Sequence, residues 1–125
     1  MNTVVYFVIQ GSNPKDLQAF YTAIFKWKFT KDENSPIEYY RIETGGISGG
    51  LLKRPAGVPP PNSGTNAFAC SILVGSFDKT SQLIIANGGK IALPKFAVPG
   101  KCWQGYFIDP DGNTFGLVEP DENAK

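Results

Sequence analysis

Arg54-Pro-Ala-Gly-Val-Pro-Pro-Pro-Asn-Ser-Gly-Thr65 is the stretch that decides the fold. Four prolines and two glycines exclude a helix and a central strand alike, so the 125 residues fall into near-equal halves. Upstream, Val4 to Gln10 is β-branched and aromatic and predicts a strand that ends in Gly-Ser-Asn-Pro. Asn13 is placed to cap a helix with Pro14 at its first position and Asp16 in its positive first turn. Leu17, Phe20, Tyr21, Ile24 and Phe25 then recur at helical spacing and give that helix one apolar face to bury. Lys26 to Thr30, Glu38 to Glu43 and Ile47 to Leu52 are short runs between turn residues, as three further strands would be.

Downstream the order repeats. Phe68 to Val74 predicts a strand, Asp78 or Ser76 can cap a short helix through Ala86, and Asn87-Gly-Gly89 stops it. Lys90 to Leu93, Trp103 to Ile108 and Thr114 to Val118 predict three more strands. Gly11-Ser12 matches Gly75-Ser76, Gln18 matches Gln82 and Lys26 matches Lys90, all at a separation of 64 residues, the register of a duplication. The expected fold class is α+β: two tandem βαβββ modules, about residues 1–54 and 66–120, joined by a Pro-rich linker over 55–65 in a single domain. A sheet covered by a helix on one side leaves its other face to be used, so two such modules predict a cupped mixed sheet around a small-molecule cleft.

The chain contains no histidine, which removes Ser-His-Asp and Cys-His nucleophile systems and most water- or oxygen-activating metal sites. The net charge is +1 and the twelve Lys and Arg are thinly spread, so no basic stripe is available for a nucleic-acid backbone. The N-terminal apolar run is far shorter than a membrane span and has no basic leader, so a cytoplasmic protein without a membrane partner is expected. Cys70 and Cys102 lack a metal or redox spacing and read as two free, partly buried thiols.

Asp16-Leu-Gln-Ala-Phe-Tyr-Thr-Ala-Ile-Phe-Lys-Trp27 resembles the first-helix signature of the glyoxalase, bleomycin-resistance and extradiol-dioxygenase superfamily, also called vicinal oxygen chelate proteins. Asn87-Gly-Gly-Lys90 and Gly100 to Asn113, continuing through Glu119, resemble its second-half signature. The resemblance implies paired βαβββ units, a small-molecule cavity, often a divalent metal at its floor, and a homodimer. It also implies four metal-ligand places, which fall here on Tyr6, Ala69, Gly50 and Gly116. Two glycines and an alanine carry no donor and a neutral phenol is a poor ligand, so neither metal nor other cofactor is expected.

The small residues at these places predict an empty, apolar volume beside Tyr6, one that Gly116→Leu should fill without harm to the sheet. Strand alternation puts Tyr6, Val8 and Gln10 on one face, as it does Ala69, Ser71 and Leu73, and Thr114, Gly116 and Val118. Trp103, Tyr106, Tyr39 and Tyr40 are further aromatic candidates for stacking on a planar ligand. The same alternation turns Glu119 away from Gly116, as solvated charge at a strand end. Asp109-Pro-Asp-Gly-Asn113 reads as turn chemistry and not as a carboxylate pair. Gly45-Gly46 and Gly49-Gly50 lack the Lys and the helix of a phosphate loop. Lys95 and Lys101 border a predicted loop, Pro94 to Gly100, able to cover a cleft mouth. Two functions fit. One is a metal-independent binding protein for an apolar or aromatic small molecule; the other is a lyase or isomerase acting without metal or with an atypical site, with Tyr6 or a cavity carboxylate as acid or base.

Overall fold

A computed structural model describes residues 2–55 and 67–125. The order of elements is βαβββ twice, and each copy forms its own four-stranded mixed sheet. The chain divides into two compact units, Met1–Pro59 and Pro60–Lys125. The linker expected over 55–65 lies, apart from Pro55, outside the described residues. No helix among the described residues is long and apolar enough to cross a membrane.

In the first unit, β1 (Tyr6–Gly11) leads to α1 (Pro14–Phe25), followed by β2 (Lys28–Lys31), β3 (Tyr39–Glu43) and β4 (Ser48–Lys53). The sheet order is β1-β4-β3-β2, with β1 parallel to β4 and the other pairs antiparallel. The helical spacing read from the sequence is the buried stripe of α1: Leu17, Phe20, Tyr21 and Ile24 pack with Tyr40, Ile42 and Leu51. Trp27 stacks on Tyr21, with ring centroids 5.2 Å apart, and tilts against Phe7 at 5.7 Å, which joins the helix to β1. Asn13 stands at the cap position without capping; its side-chain amide donates to the Asp16 carboxylate at 2.8 Å. The first strand begins at Tyr6 and not at Val4, because its partner begins at Ser48 after the Thr44 turn and offers Val4 and Val5 no ladder.

α1 ends on Lys26, whose φ of +61° is left-handed and whose N–H donates to the Thr22 carbonyl at 3.0 Å. An L side chain in that region is disfavoured by roughly 1–2 kcal/mol relative to glycine. Lys26→Gly is therefore expected to raise stability by about 0.5–1 kcal/mol, read as a higher urea midpoint, after the lost Nζ bond to the Ala23 carbonyl is subtracted. A lower midpoint would mean that the Nζ bond outweighs the backbone gain.

The second unit runs β5 (Ser71–Leu73), α2 (Phe77–Ala86), β6 (Lys90–Val98), β7 (Cys102–Ile108) and β8 (Thr114–Pro120). Its order, β5-β8-β7-β6, repeats that of the first, with β5 parallel to β8. Phe77, Ile84, Phe107, Phe115 and Leu117 form the core. Ser76 is the cap of α2, its hydroxyl accepting the Lys79 N–H at 3.2 Å, and Asn87-Gly88 ends the helix as expected, with Gly88 at a φ of +94°.

Two strand boundaries differ from the sequence reading. β5 covers three residues where seven were expected, since β8 starts at Thr114 and leaves Phe68 nothing to pair with; Phe68 is 99% exposed. β6 continues through Pro94 to Val98 where a loop was expected. Proline is tolerated there because β6 is an edge strand and its pairing with β7 shifts register on both sides of Leu93. The Asp109 turn matches the reading: its buried carboxylate accepts the N–H groups of Asp111 and Asn113, both at 2.9 Å, and Gly112 takes a φ of +87°.

Candidate functional site

Each sheet has a face covered by its own helix and a face turned from it. Cross-strand register fixes which residues share a face, because directly opposed residues point the same way. In the first unit Tyr6 opposes Ser48, Val8 opposes Gly50 and Gln10 opposes Leu52, while Gly50 and Leu52 oppose Arg41 and Tyr39 on the other side. Tyr6, Val8, Gln10, Gly50, Tyr39 and Arg41 therefore lie together on the open face. Tyr40 does not: it is buried on the helix face, and its hydroxyl donates to Glu38 at 2.8 Å. That bond, and then burial, raises the Tyr40 phenol above its ordinary range. The sequence reading favours Tyr40 as the cleft candidate, and the register instead puts Tyr39 on the open face.

The Tyr6 and Tyr39 hydroxyls are hydrogen-bonded to each other. Tyr39 reaches Tyr6 by lying over Gly50, where any Cβ would overlap its hydroxyl and ring. Within this unit, then, the space above Gly50 is filled by a phenol and is not the empty volume expected from the missing side chain. Burial, followed by the bond to Tyr6, pushes the Tyr39 phenol up from 10.0 to about 12. Tyr6 and Val8, on the edge strand β1, remain 44% and 51% exposed.

In the second unit Ser71 opposes Gly116, and Gly116 opposes Tyr106. These three of the expected residues do come together on the open face. Again the glycine is covered: a Cβ at 116 would stand 2.6 Å from Ser71 Oγ and 3.0 Å from Tyr106 Cε1. Ala69 precedes β5 and is exposed. Trp103 opposes Glu119 and Ala97 on the helix face, where its indole N–H donates to Asp121 at 3.0 Å. The Asn123 backbone bond, and next that indole, hold the Asp121 carboxyl below its usual range.

Two polar groups have roles that the sequence reading missed, and one thiol differs in exposure. Glu119 is not solvated strand-end charge: its carboxylate accepts the Phe77 N–H at 2.6 Å and so occupies the positive start of α2. Lys95 lies within β6 and not at the edge of a loop; it pairs with Asp78 at 3.2 Å and lies 4.6 Å above the Trp103 ring and 5.7 Å from that of Phe77, fastening β6 to α2. Cys70 is exposed and not partly buried, and both thiols are free. The Glu119 contact spans 42 residues and has no local sequence signal. Lys95 was hidden by a strand that crosses a proline.

Among the described residues, the open face of the first unit brings together a pair of hydrogen-bonded phenols, the Arg41 guanidinium and apolar surface. Such groups donate hydrogen bonds and stack on rings. Among the described residues no group of three or more His, Cys, Asp and Glu side chains could hold a metal ion. A polar recess of about 290 Å³ lies elsewhere, in the connection between β2 and β3 from Lys31 to Glu38.

The sequence model of the Glyoxalase/Bleomycin resistance protein/Dioxygenase superfamily matches residues 3–117. No curated protein matches the sequence. Among solved structures, a glyoxalase/bleomycin resistance protein/dioxygenase domain from Frankia sp. EAN1pec aligns at a TM-score of 0.75 and 17% identity, over 98% of this chain and 94% of that one. A glyoxalase/bleomycin resistance protein/dioxygenase family enzyme from Burkholderia phytofirmans PsJN gives 0.69 and 20% identity, over 92% and 96%. The fosfomycin resistance protein FosX from Listeria monocytogenes gives 0.72 and 16% identity, over 95% and 93%. At such identities the likeness shows the fold alone. The divalent metal implied by the resemblance does not fit the residues found here: Tyr6, Gly50, Ala69 and Gly116 offer one phenol, which is already bonded to Tyr39.

Proposed function

Because the chain belongs to the glyoxalase, bleomycin resistance protein and dioxygenase superfamily, we propose that it binds a small aromatic or otherwise apolar molecule without a metal, on the open face around Tyr6 and Val8. The observation that carries this reading is an exposed apolar side chain, Val8, on the edge strand β1 beside a phenol pair. Covering roughly half of a valine and half of a tyrosine with a ligand is favourable at about 25 cal/mol per Å² of apolar area. It also supplies a flat aromatic surface for stacking.

An acid or base role for the pair has less support. A phenol acts as a base near neutrality only when its pKa is drawn down, and Tyr39 is displaced the opposite way, to about 12. Lyase or isomerase chemistry on this face would need another group to carry the proton.

A thermal-shift panel of aromatic small molecules and of zinc, nickel, manganese and ferrous ions tests the proposal. Aromatic compounds are expected to raise the melting temperature by mass action, and metal ions to leave it unchanged. Val8→Glu, at a half-exposed position, should remove the aromatic shifts and leave the fold intact. Aromatic shifts that survive in Val8→Glu would place binding elsewhere, and stoichiometric metal retained by tag-free protein after dialysis would refute the metal-free reading.

A further inference from the structure

We propose that the Tyr6 and Tyr39 pair, with Arg41 beside it, recognises the carboxylate of an aromatic acid. This rests on the open face of the first unit being the ligand site, and adds the chemistry at one end of the ligand. Two hydrogen-bonded hydroxyls hold one proton between their oxygens, which leaves the other O–H to point elsewhere. Tyr39 is the more enclosed of the two and lies over Gly50, while Tyr6 is 44% exposed. Tyr39 therefore donates inward to Tyr6, and the Tyr6 O–H is offered to solvent or to a ligand. The proton that burial holds on Tyr39 up to about pH 12 fits that direction. A donor whose own oxygen accepts a hydrogen bond is polarised by it and donates more strongly.

Charge selects the acceptor. Arg41 is directly opposite Gly50 on the same face, and its positive charge reaches the Tyr39 phenol, as does, more strongly, the negative charge of Asp32. Its ion pair with Asp32 is long, at 3.7 Å, and its side chain is 56% exposed, so donors of the guanidinium fork remain for a second oxyanion. Val8, on the next strand and opposite Gly50, supplies the apolar floor for the ring that carries the carboxylate. A neutral acceptor would use the Tyr6 donor and gain little from Arg41; an aromatic carboxylate uses both.

Three probes of one shape separate the contributions: 2-naphthoate, 2-acetylnaphthalene and 2-methylnaphthalene, titrated by naphthalene fluorescence at neutral pH. The expected order of affinity is naphthoate, then the ketone, then the hydrocarbon. Tyr6→Phe should weaken naphthoate by about tenfold, the usual worth of a hydrogen bond to a charged group, and leave the hydrocarbon unchanged. Arg41→Gln should bring naphthoate down to the ketone, and Tyr39→Phe provides a second variant if Tyr6→Phe loses its far-UV circular dichroism. The proposal is overturned, with apolar binding intact, if the hydrocarbon binds as tightly as naphthoate and Tyr6→Phe changes neither. Binding of none of the three overturns the apolar site as well.

Discussion

Gly50→Ala is expected to drive Tyr39 off the open face and to cost about 1–3 kcal/mol, the usual range for overfilling a packed position. A Cβ at residue 50 overlaps the Tyr39 hydroxyl and comes within 2.9 Å of Cε2, so the ring has to swing away. The bond to Tyr6 then breaks, and the enclosure that raises the Tyr39 phenol is lost. Alkaline absorbance titration, with circular dichroism showing the fold intact over the same pH range, reads that change. In the wild type Tyr39 should hold its proton to about 12, and in Gly50→Ala its step should move down toward the ordinary phenol value of 10.0.

The stability difference carries a sign that can be checked. The folded pKa of Tyr39 lies above its unfolded value of 10.0, so the favourable contribution of its protonated form is complete below pH 10. It is lost as pH rises from 10 through about 12, because the unfolded chain releases that proton first. Gly50→Ala lacks this contribution at every pH. The gap between the two proteins in urea midpoint should be widest below pH 10 and narrow above it; a gap that does not change across this window would mean that Tyr39 is not held by the contact with Tyr6.

What could be read from the sequence was local. Pro14 and the spacing of Leu17, Tyr21 and Ile24 gave α1, and the Asp109 turn is complete within five residues. The reading failed where a partner distant in sequence decides the outcome. β5 is short because its parallel partner β8 begins only at Thr114, and β6 runs through Pro94 because the edge of a sheet tolerates a missing N–H. Tyr39 and Tyr40 are adjacent and chemically alike; only the pairing of Tyr39 with Leu52 and Tyr40 with Leu51 decides which joins Tyr6. The glycines misled for a related reason. A missing side chain in a strand signals either space or a neighbour that occupies it, and the sequence alone does not separate the two. Here aromatic rings lie over several of them: Phe7 over Gly49 and Phe77 over Gly105, besides Tyr39 over Gly50.

Gly116→Leu should therefore break the second sheet, not fill a void in it. β8 is an interior strand, hydrogen-bonded to β5 on one side and β7 on the other, and Gly116 is buried at the crossing of Ser71 and Tyr106. A Cβ alone stands 2.6 Å from Ser71 Oγ and 3.0 Å from Tyr106 Cε1. Three further carbons have to displace the Tyr106 ring or part β8 from β5, the shortest ladder in the unit. The expected loss is about 3 kcal/mol or more, at the upper end for overpacking, and a marginally stable domain loses a large share of its stability with it. Gly116→Ala isolates the first contact. It should cost less, and Ser71→Ala in the same chain should restore part of the loss by removing the Oγ that the new methyl meets. A Gly116→Leu protein that melts cooperatively within a degree or two of the wild type would show that the ring yields freely, and the space over Gly116 would again be room for a ligand.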